Sequence, residues 1–212
     1  ADGTVIDISL TTVRVQNFDN TIISVPAYDL LSKPFQNWNG MVQSGARRIK
    51  RAINIDVETI KFLDAELLKR LQKIQLISEY LQGKINEVRA FNSQHDIKES
   101  ILNGRHLTNV GTFRAYALAY LNSLSTIDHT QTCMVRQLDP TTSGLPLEIY
   151  CFTATTEWEK YENIQSDVFD HLYSVMPEFD LYPFQQPAGR NVSMTARVLL
   201  AQSRGPSSAS RA

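Results

Sequence analysis

The hydrophobic period changes along this chain, and that change restricts the fold more than any other feature. Residues 3–26 alternate every second position. Ile6, Ile8 and Leu10 are separated by Asp7 and Ser9, and Val13 and Val15 by Arg14. Alternation at period two marks strands with one covered face. Asn17-Phe18-Asp19-Asn20 supplies turn chemistry, because Asn and Asp tolerate left-handed backbone. Thr21–Val25 is β-rich and stops at Pro26. These features predict a small antiparallel meander. Tyr28–Phe35 reads as one helical turn broken by Pro34, and Gly40–Gly45 as a loop. Arg47–Val57 returns to alternation, with Ile49, Ile53, Ile55 and Val57 on one face.

From residue 64 the period is three and four. Leu67, Leu71, Ile74, Ile77 or Leu81, Ile85 and Val88 predict one long helix over 64–91, capped by Asp64 and weakened near Gly83. Its narrow stripe suits a core-facing helix, with a coiled-coil seam or a membrane-surface helix as alternatives. Residues 92–108 are polar and irregular. Asn109–Leu124 is a second helix, with Asn109 as its cap. Gln131–Leu138 and Leu147–Thr155 flank a turn cluster at Asp139–Gly144 and form a hairpin. Thr156-x-x-Glu159 is a capping box opening a helix to Val175, with Trp158, Tyr161, Val168 and Leu172 in its stripe. Leu181–Gln185 is a last short strand. The fold class is therefore α+β: a small all-β, Sm-like domain at 1–46, then an α/β split-sheet domain at 47–187 with a long helical insertion at about 58–108. Residues 188–212 read as a basic, disordered tail.

Charge is segregated. Residues 109–187 hold three Lys/Arg against ten Asp/Glu, whereas 188–212 hold four Arg and no acid, so the overall net of −1 conceals both. An acidic block argues against nucleic acid binding there. The run Arg47-Arg48-Ile49-Lys50-Arg51 is the one candidate phosphate-binding patch, although Lys and Arg on a strand also serve simply to discourage edge pairing. No apolar run reaches the ~20 residues needed to cross a bilayer. Two cysteines fit a reducing compartment rather than a disulfide scaffold.

Chemistry-bearing motifs are few. The sequence has no phosphate-binding glycine loop, no nucleophile elbow and no HExxH. His129 and Cys133 are two strand repeats apart and so can share a face, with Cys151 on the partner strand, which makes a conceivable three-ligand metal set, but paired core thiols on adjacent strands are the ordinary explanation. Glu157, Glu159 and Glu162 cluster at a helix start, where the dipole favours acids without any catalytic purpose. Phe35 with Trp38 fits an anchor of the small β domain better than a base-stacking pair.

The first 26 residues carry a specific resemblance. Gly3-x-Val5-x-x-Ile8, then Thr11-Thr12-x-Arg14, an Asp19-containing hairpin, and a strand ending at Pro26 are similar to the β domain of the MscS family of mechanosensitive channels. Asn37, in Phe35-Gln36-Asn37-Trp38, and the block Gln131–Gln186 extend that likeness. Arg14–Asp19, the Gly45–Arg51 strand and the insertion resemble the miniconductance branch. This resemblance implies a homoheptamer in the bacterial inner membrane, opened by tension. The region would face the cytoplasm as a vestibule through which ions and osmolytes pass in osmotic stress. It would meet the lipid bilayer only through N-terminal helices outside this sequence. A strand normally preceding Gly3 would also lie outside it. No enzyme activity, cofactor or nucleic acid partner is implied; an Sm-like RNA-binding module is the alternative. Gly3, Pro26, Ala27 and Asn37 occupy the β-domain motif and pore-coupling positions, with Ala27 standing where the family commonly has Asn. Asp139, Glu148, Glu157, Glu159 and Glu162 are the expected acidic vestibule residues.

Overall fold

The computed structural model describes residues 2–94 and 100–186. The expected tail at 188–212 lies outside them. The described residues divide into two compact units, with the boundary between Ser44 and Gly45.

The first unit is a three-stranded antiparallel meander, β1 (Gly3–Ile8), β2 (Thr12–Asn17) and β3 (Ile22–Pro26), in the order β1-β2-β3. Val5 opposes Val15, Val15 opposes Ile23, and Val13 opposes Val25, which gathers the valines on one face. The β2–β3 turn works as its sequence suggests. Asp19 Oδ1 accepts from the Thr21 amide at 3.0 Å and from its hydroxyl at 2.7 Å, and Asn20 takes φ 66°. Gly3 is required by close approach, since a Cβ there would sit 1.9 Å from the Gln16 carbonyl oxygen. Helix α1 (Ala27–Ser32) follows directly. The segment read as a loop at Gly40–Gly45 is instead a helix, α2 (Asn39–Ser44). Asn37 Oδ1 accepts from the Asn39 amide at 2.9 Å and turns the chain into it, while Gly45, at φ +70°, ends it in the left-handed conformation that glycine tolerates best.

In the second unit, β4 (Arg47–Ile55), β5 (Met134–Gln137) and β6 (Leu145–Thr153) form an antiparallel sheet in the order β4-β6-β5. Ile49 opposes Cys151, Ile53 opposes Leu147, and Val135 opposes Ile149, so the buried side chains share one face. The strand stops at Ile55, short of Val57. Asp56 accepts from the Glu58 amide and starts a 3-10 turn at Val57–Thr59, which leaves Val57 exposed. The expected strand at Leu181–Gln185 reduces to a single bridge, Ile55 with Pro183, flanked by Asp56 N to Tyr182 O (2.9 Å) and Phe184 N to Asn54 O (2.8 Å). Pro183 has no N–H to extend a ladder.

The long helix expected at 64–91 is two helices. Asp64 does cap α3 (Ala65–Leu71), accepting from the Leu67 amide at 2.8 Å. A 3-10 turn at Gln75–Ile77 then precedes α4 (Ser78–Asn92). Leu71 and Ile77 are both fully buried. On one continuous helix, six residues would place them ~120° apart, so the break is what lets both enter the core. Helix α5 (Asn109–Ser123) is capped by Thr108, whose Oγ1 accepts from the Gly111 amide, and not by Asn109. Helix α6 (Trp158–Val175) has no capping box; its N-cap is Glu157, which makes no side-chain cap bond. Tyr161, Val168, Phe169 and Leu172 are its buried stripe, while Trp158 is exposed. The sheet, α3, α4, α5 and α6 all contribute to one contiguous core, within which Phe113 and Phe179 meet edge to face at 5.3 Å.

Candidate functional site

In the first unit the motif residues are tied to one another through the backbone. Pro26 closes β3, pairs with Thr12 and serves as N-cap residue of α1. The Ala27 amide donates to the Thr11 carbonyl at 2.9 Å. Gly3 lies against Gln16, and Asn37 directs α2. Around this frame the surface is apolar. Val13 is the one buried hydrophobic side chain among the described residues of the unit, whereas Ile8, Leu10, Phe18, Leu31, Phe35 and Val42 are all more than half exposed. Each such side chain gains ~1.5–3 kcal/mol when fully buried. A monomer does not ordinarily leave so much apolar surface in water, and such patches mark association surfaces.

The expected acidic residues of the second unit do not behave as a set. Asp139 is exposed in the β5–β6 turn. Glu148 is buried, at 4% exposure, and accepts from Arg136 Nε at 2.8 Å and Nη2 at 2.7 Å. Its charge is compensated within the sheet, so it cannot belong to a solvated acidic wall. Glu157 is held by Lys160 at 2.6 Å. Glu159 and Glu162 are exposed on α6, where Glu162 accepts from the Trp158 indole at 3.0 Å. Asp167 and Asp170 share their face of the helix and were not singled out from sequence. The recurrence of Glu159, Glu162, Asp167 and Asp170 at intervals of three, five and three, which keeps them on one side of a helix, was the available signal. Asp180 also leaves the acidic block. Its carboxylate takes Lys61 at 2.8 Å together with Arg70, and the Lys61 hydrogen bond, followed by Arg70, holds its pKa below the usual carboxylate range.

The basic run of β4 is engaged by its own fold. The Arg47 guanidinium lies 4.3 Å from the Tyr161 ring centre and that of Arg51 lies 4.7 Å from Phe169, both on α6. Arg48 sits over Tyr150 of β6 at 5.8 Å. Such stacking uses the guanidinium faces that would otherwise stack on nucleic-acid bases.

Burial pushes the Cys151 thiol up to about 12 and raises that of Cys133. Thiols in this state are poor nucleophiles and poor metal ligands. Among the described residues no three His, Cys, Asp or Glu side chains are grouped to hold a metal ion. His171 is the histidine drawn into the core region: its Nε2 lies 2.7 Å from the Tyr116 hydroxyl, and its ring stacks on Tyr120 at 3.9 Å. Among the described residues no helix is long and apolar enough to cross a membrane.

Both units match known protein families. Residues 1–40 match the mechanosensitive ion channel β-domain, and residues 49–181 match the mechanosensitive ion channel MscS C-terminal domain. Two uncharacterized MscS family proteins, from two strains of Helicobacter pylori, are 24% and 23% identical over 183 residues. These alignments cover 85% of this chain, which spans about a quarter (26%) of the length of those relatives. The fold is similar to cryo-EM structures of Arabidopsis thaliana MSL1, with a TM-score of 0.53 at 14% identity in one and 0.52 at 13% in another. Each covers 87% of this chain and about half of the other (49% and 47%). The second of the two family matches alone takes in more than half of the sequence. The chain belongs to the MscS family of mechanosensitive ion channels.

Proposed function

We propose that this chain is the vestibule region of a tension-gated channel of the miniconductance branch, a homoheptamer in a bacterial inner membrane with this region on the cytoplasmic side. Residues 1–46 form its β domain and 47–187 its cage domain, with 58–108 as an insertion particular to this branch. Ions and small osmolytes pass through the assembled vestibule when membrane tension rises in osmotic stress. One observation carries the reading: the first unit leaves most of its large apolar side chains exposed, with Val13 alone buried among its described residues. Such a sheet requires a neighbouring surface, and further copies of itself are the neighbour the family offers. Gly3, Pro26, Ala27 and Asn37 shape the part of the unit that meets the pore. Asp139 and the α6 acids Glu159 and Glu162 bias the vestibule toward cations, with Glu148 contributing nothing because Arg136 compensates it.

The test is the intact channel reconstituted in bilayers. Currents should appear under suction, and reversal potentials in asymmetric KCl should favour K+ over Cl−. Native mass spectrometry should give seven subunits. A channel silent under tension, or a different subunit number, would overturn the reading.

A further inference from the structure

The two cysteines of the sequence fall on opposite arms of the β5–β6 hairpin. Met134 opposes Tyr150, and Val135 opposes Ile149. Partners in an antiparallel ladder count in opposite directions. One step outward from Met134 therefore sets Cys133, the residue before β5, against Cys151. The phase of the ladder decides how close they come. At its other end the Leu138 amide donates to the Pro146 carbonyl at 2.9 Å, which makes that a hydrogen-bonded pair. Hydrogen-bonded and non-hydrogen-bonded pairs alternate, so Val135 with Ile149 and Cys133 with Cys151 are of the second kind. Such pairs have Cα atoms ~4.5 Å apart and their side chains at their closest. A disulfide spans Cα separations of ~4.4–6.8 Å.

Both thiols lie on the core face. Val135, Ile149 and Cys151 are buried, and Cys133 packs against the cluster that contains them. After burial, Cys133 is the second cause of the raised pKa of Cys151, so the two sulfurs are within electrostatic reach. They differ in access: Cys151 is fully buried, whereas Cys133 is partly exposed. Before Cys133 the chain leaves the ladder. The Asp128 amide donates to the Phe152 carbonyl at 2.8 Å, and residues 129–131 then turn before pairing resumes at Met134. Cys133 is thus pinned on one side only and has room for the ~1 Å approach that a bonded pair of Cβ atoms requires.

We infer that Cys133 and Cys151 form a reversible cross-strand disulfide, with Cys133 as the entry thiol and a low-molecular-weight disulfide of the glutathione class as the oxidant. The Cys133 thiolate attacks one sulfur of the small disulfide and expels one thiolate, which leaves a mixed disulfide on Cys133. Cys151 then loses its proton and attacks the Cys133 sulfur, expelling the second thiolate. Two protein thiols become one S–S bond. The S–S bond of the oxidant takes up the two electrons, and the two protons end on the two released thiols. Burial raises the pKa of both cysteines and leaves little thiolate at neutral pH, so closure is slow and the pair stays reduced on brief exposure. The closed form ties β5, a four-residue edge strand, covalently to β6.

The sequence contains no other cysteine, so intact mass reads the product without ambiguity. The dilute 212-residue chain, held in native buffer near pH 8.5 with excess oxidised glutathione, should lose about 2 Da and retain no glutathione. Dithiothreitol should restore the original mass. Cys151→Ala should stop at the mixed disulfide, with one glutathione per chain. Cys133→Ala should take up glutathione at least ~10-fold more slowly than Cys151→Ala, because its remaining thiol is buried. The first arm uses the wild type, so a folding defect in a variant cannot imitate it. Wild type that keeps glutathione on Cys133 would put Cys151 out of reach and overturn the inference. So would wild type that keeps both thiols, or a disulfide-linked dimer formed at low concentration. Equal uptake by the two variants would mean that the reaction passes through the unfolded chain, and would overturn the entry role of Cys133.

Discussion

Both units of this chain contain a three-stranded antiparallel sheet with alternating apolar residues, yet they bury very different amounts. Among the described residues, the second assembles 24 buried hydrophobic side chains into one core, whereas the first buries Val13 alone. The second sheet shares one core with α5 and α6, whose buried side chains join Ile49, Ile53, Leu147 and Ile149 in the same cluster. The first has only the six-residue helices α1 and α2, neither of which buries a residue. Alternation therefore specifies which face of a sheet is to be covered; it does not supply the cover. The second unit is built to fold by itself, and the first is built to be completed.

Separating the units gives the largest expected effect. A fragment of residues 45–187 should melt cooperatively and give dispersed amide resonances. A fragment of residues 2–44 should show neither, because below ~40–60 residues a single weak core seldom outweighs chain entropy. A cooperative transition in the short fragment at low concentration would break the comparison.

Point substitutions sharpen it. Phe113→Ala removes a fully buried ring that meets Phe179 edge to face, and should cost ~3–5 kcal/mol in urea denaturation. Leu10→Ala, at a position 96% exposed, should stay within ~0.5 kcal/mol in the dilute chain. The same change should weaken subunit association. Equal stability losses at the two sites would mean that the first unit has a core of its own.

How much of this was readable in the sequence follows the same division. Strand periodicity located β1 to β4 and the β5–β6 hairpin, because alternation and turn residues are local signals. The helix break after Leu71 was not readable, since Leu71, Ile74, Ile77 and Leu81 fit a continuous stripe loosely and only the core shows that Ile77 must enter it. Capping misled twice. Asn109 and the Thr156-x-x-Glu159 box have suitable chemistry, but Thr108 and Glu157 hold the cap positions. The acidic block was visible only as a sum. Pairing of Glu148 with Arg136 and of Asp180 with Lys61 joins residues 12 and 119 positions apart, and such distances leave no trace in local spacing.

Asn109 shows what the second unit gained instead of a cap. Its Oδ1 accepts from the Lys61 amide at 3.0 Å and its Nδ2 donates to the Thr59 carbonyl at 2.8 Å, fully buried. It thereby joins the strap after β4 to the start of α5. Asn109→Leu takes the side-chain partner from two part-buried backbone groups, at up to ~1–3 kcal/mol each. A loss of more than about 2 kcal/mol in urea denaturation is expected, smaller than for Phe113→Ala. A neutral result would show that the strap relaxes to water.

Asp180 and His171 bring smaller, pH-dependent effects, and both belong to the second unit. Asp180 keeps a lowered pKa through Lys61 and then Arg70, so its stabilisation is present above the ordinary carboxylate range and is lost as pH falls through the lowered value. Asp180→Asn suits the left-handed backbone there (φ 52°) and should flatten the acid limb of the melting curve.

The smallest effect expected is at His171. Burial holds its pKa below the ordinary value, so the unfolded chain takes up the proton first as pH falls. Its contribution is therefore complete above the ordinary histidine range and is lost as pH drops below that range and through the folded value. Neutral Nε2 can accept from the Tyr116 hydroxyl 2.7 Å away, and the ring lies flat against Tyr120. His171→Gln keeps an acceptor for Tyr116 and cannot titrate. The melting temperature of the wild type should fall more between pH 7 and pH 5 than that of the variant. The first unit contains no histidine, so this slope should persist unchanged in the 45–187 fragment. A slope that disappears with residues 2–44 would place the titrating group in contact with the first unit and overturn the independence of the two.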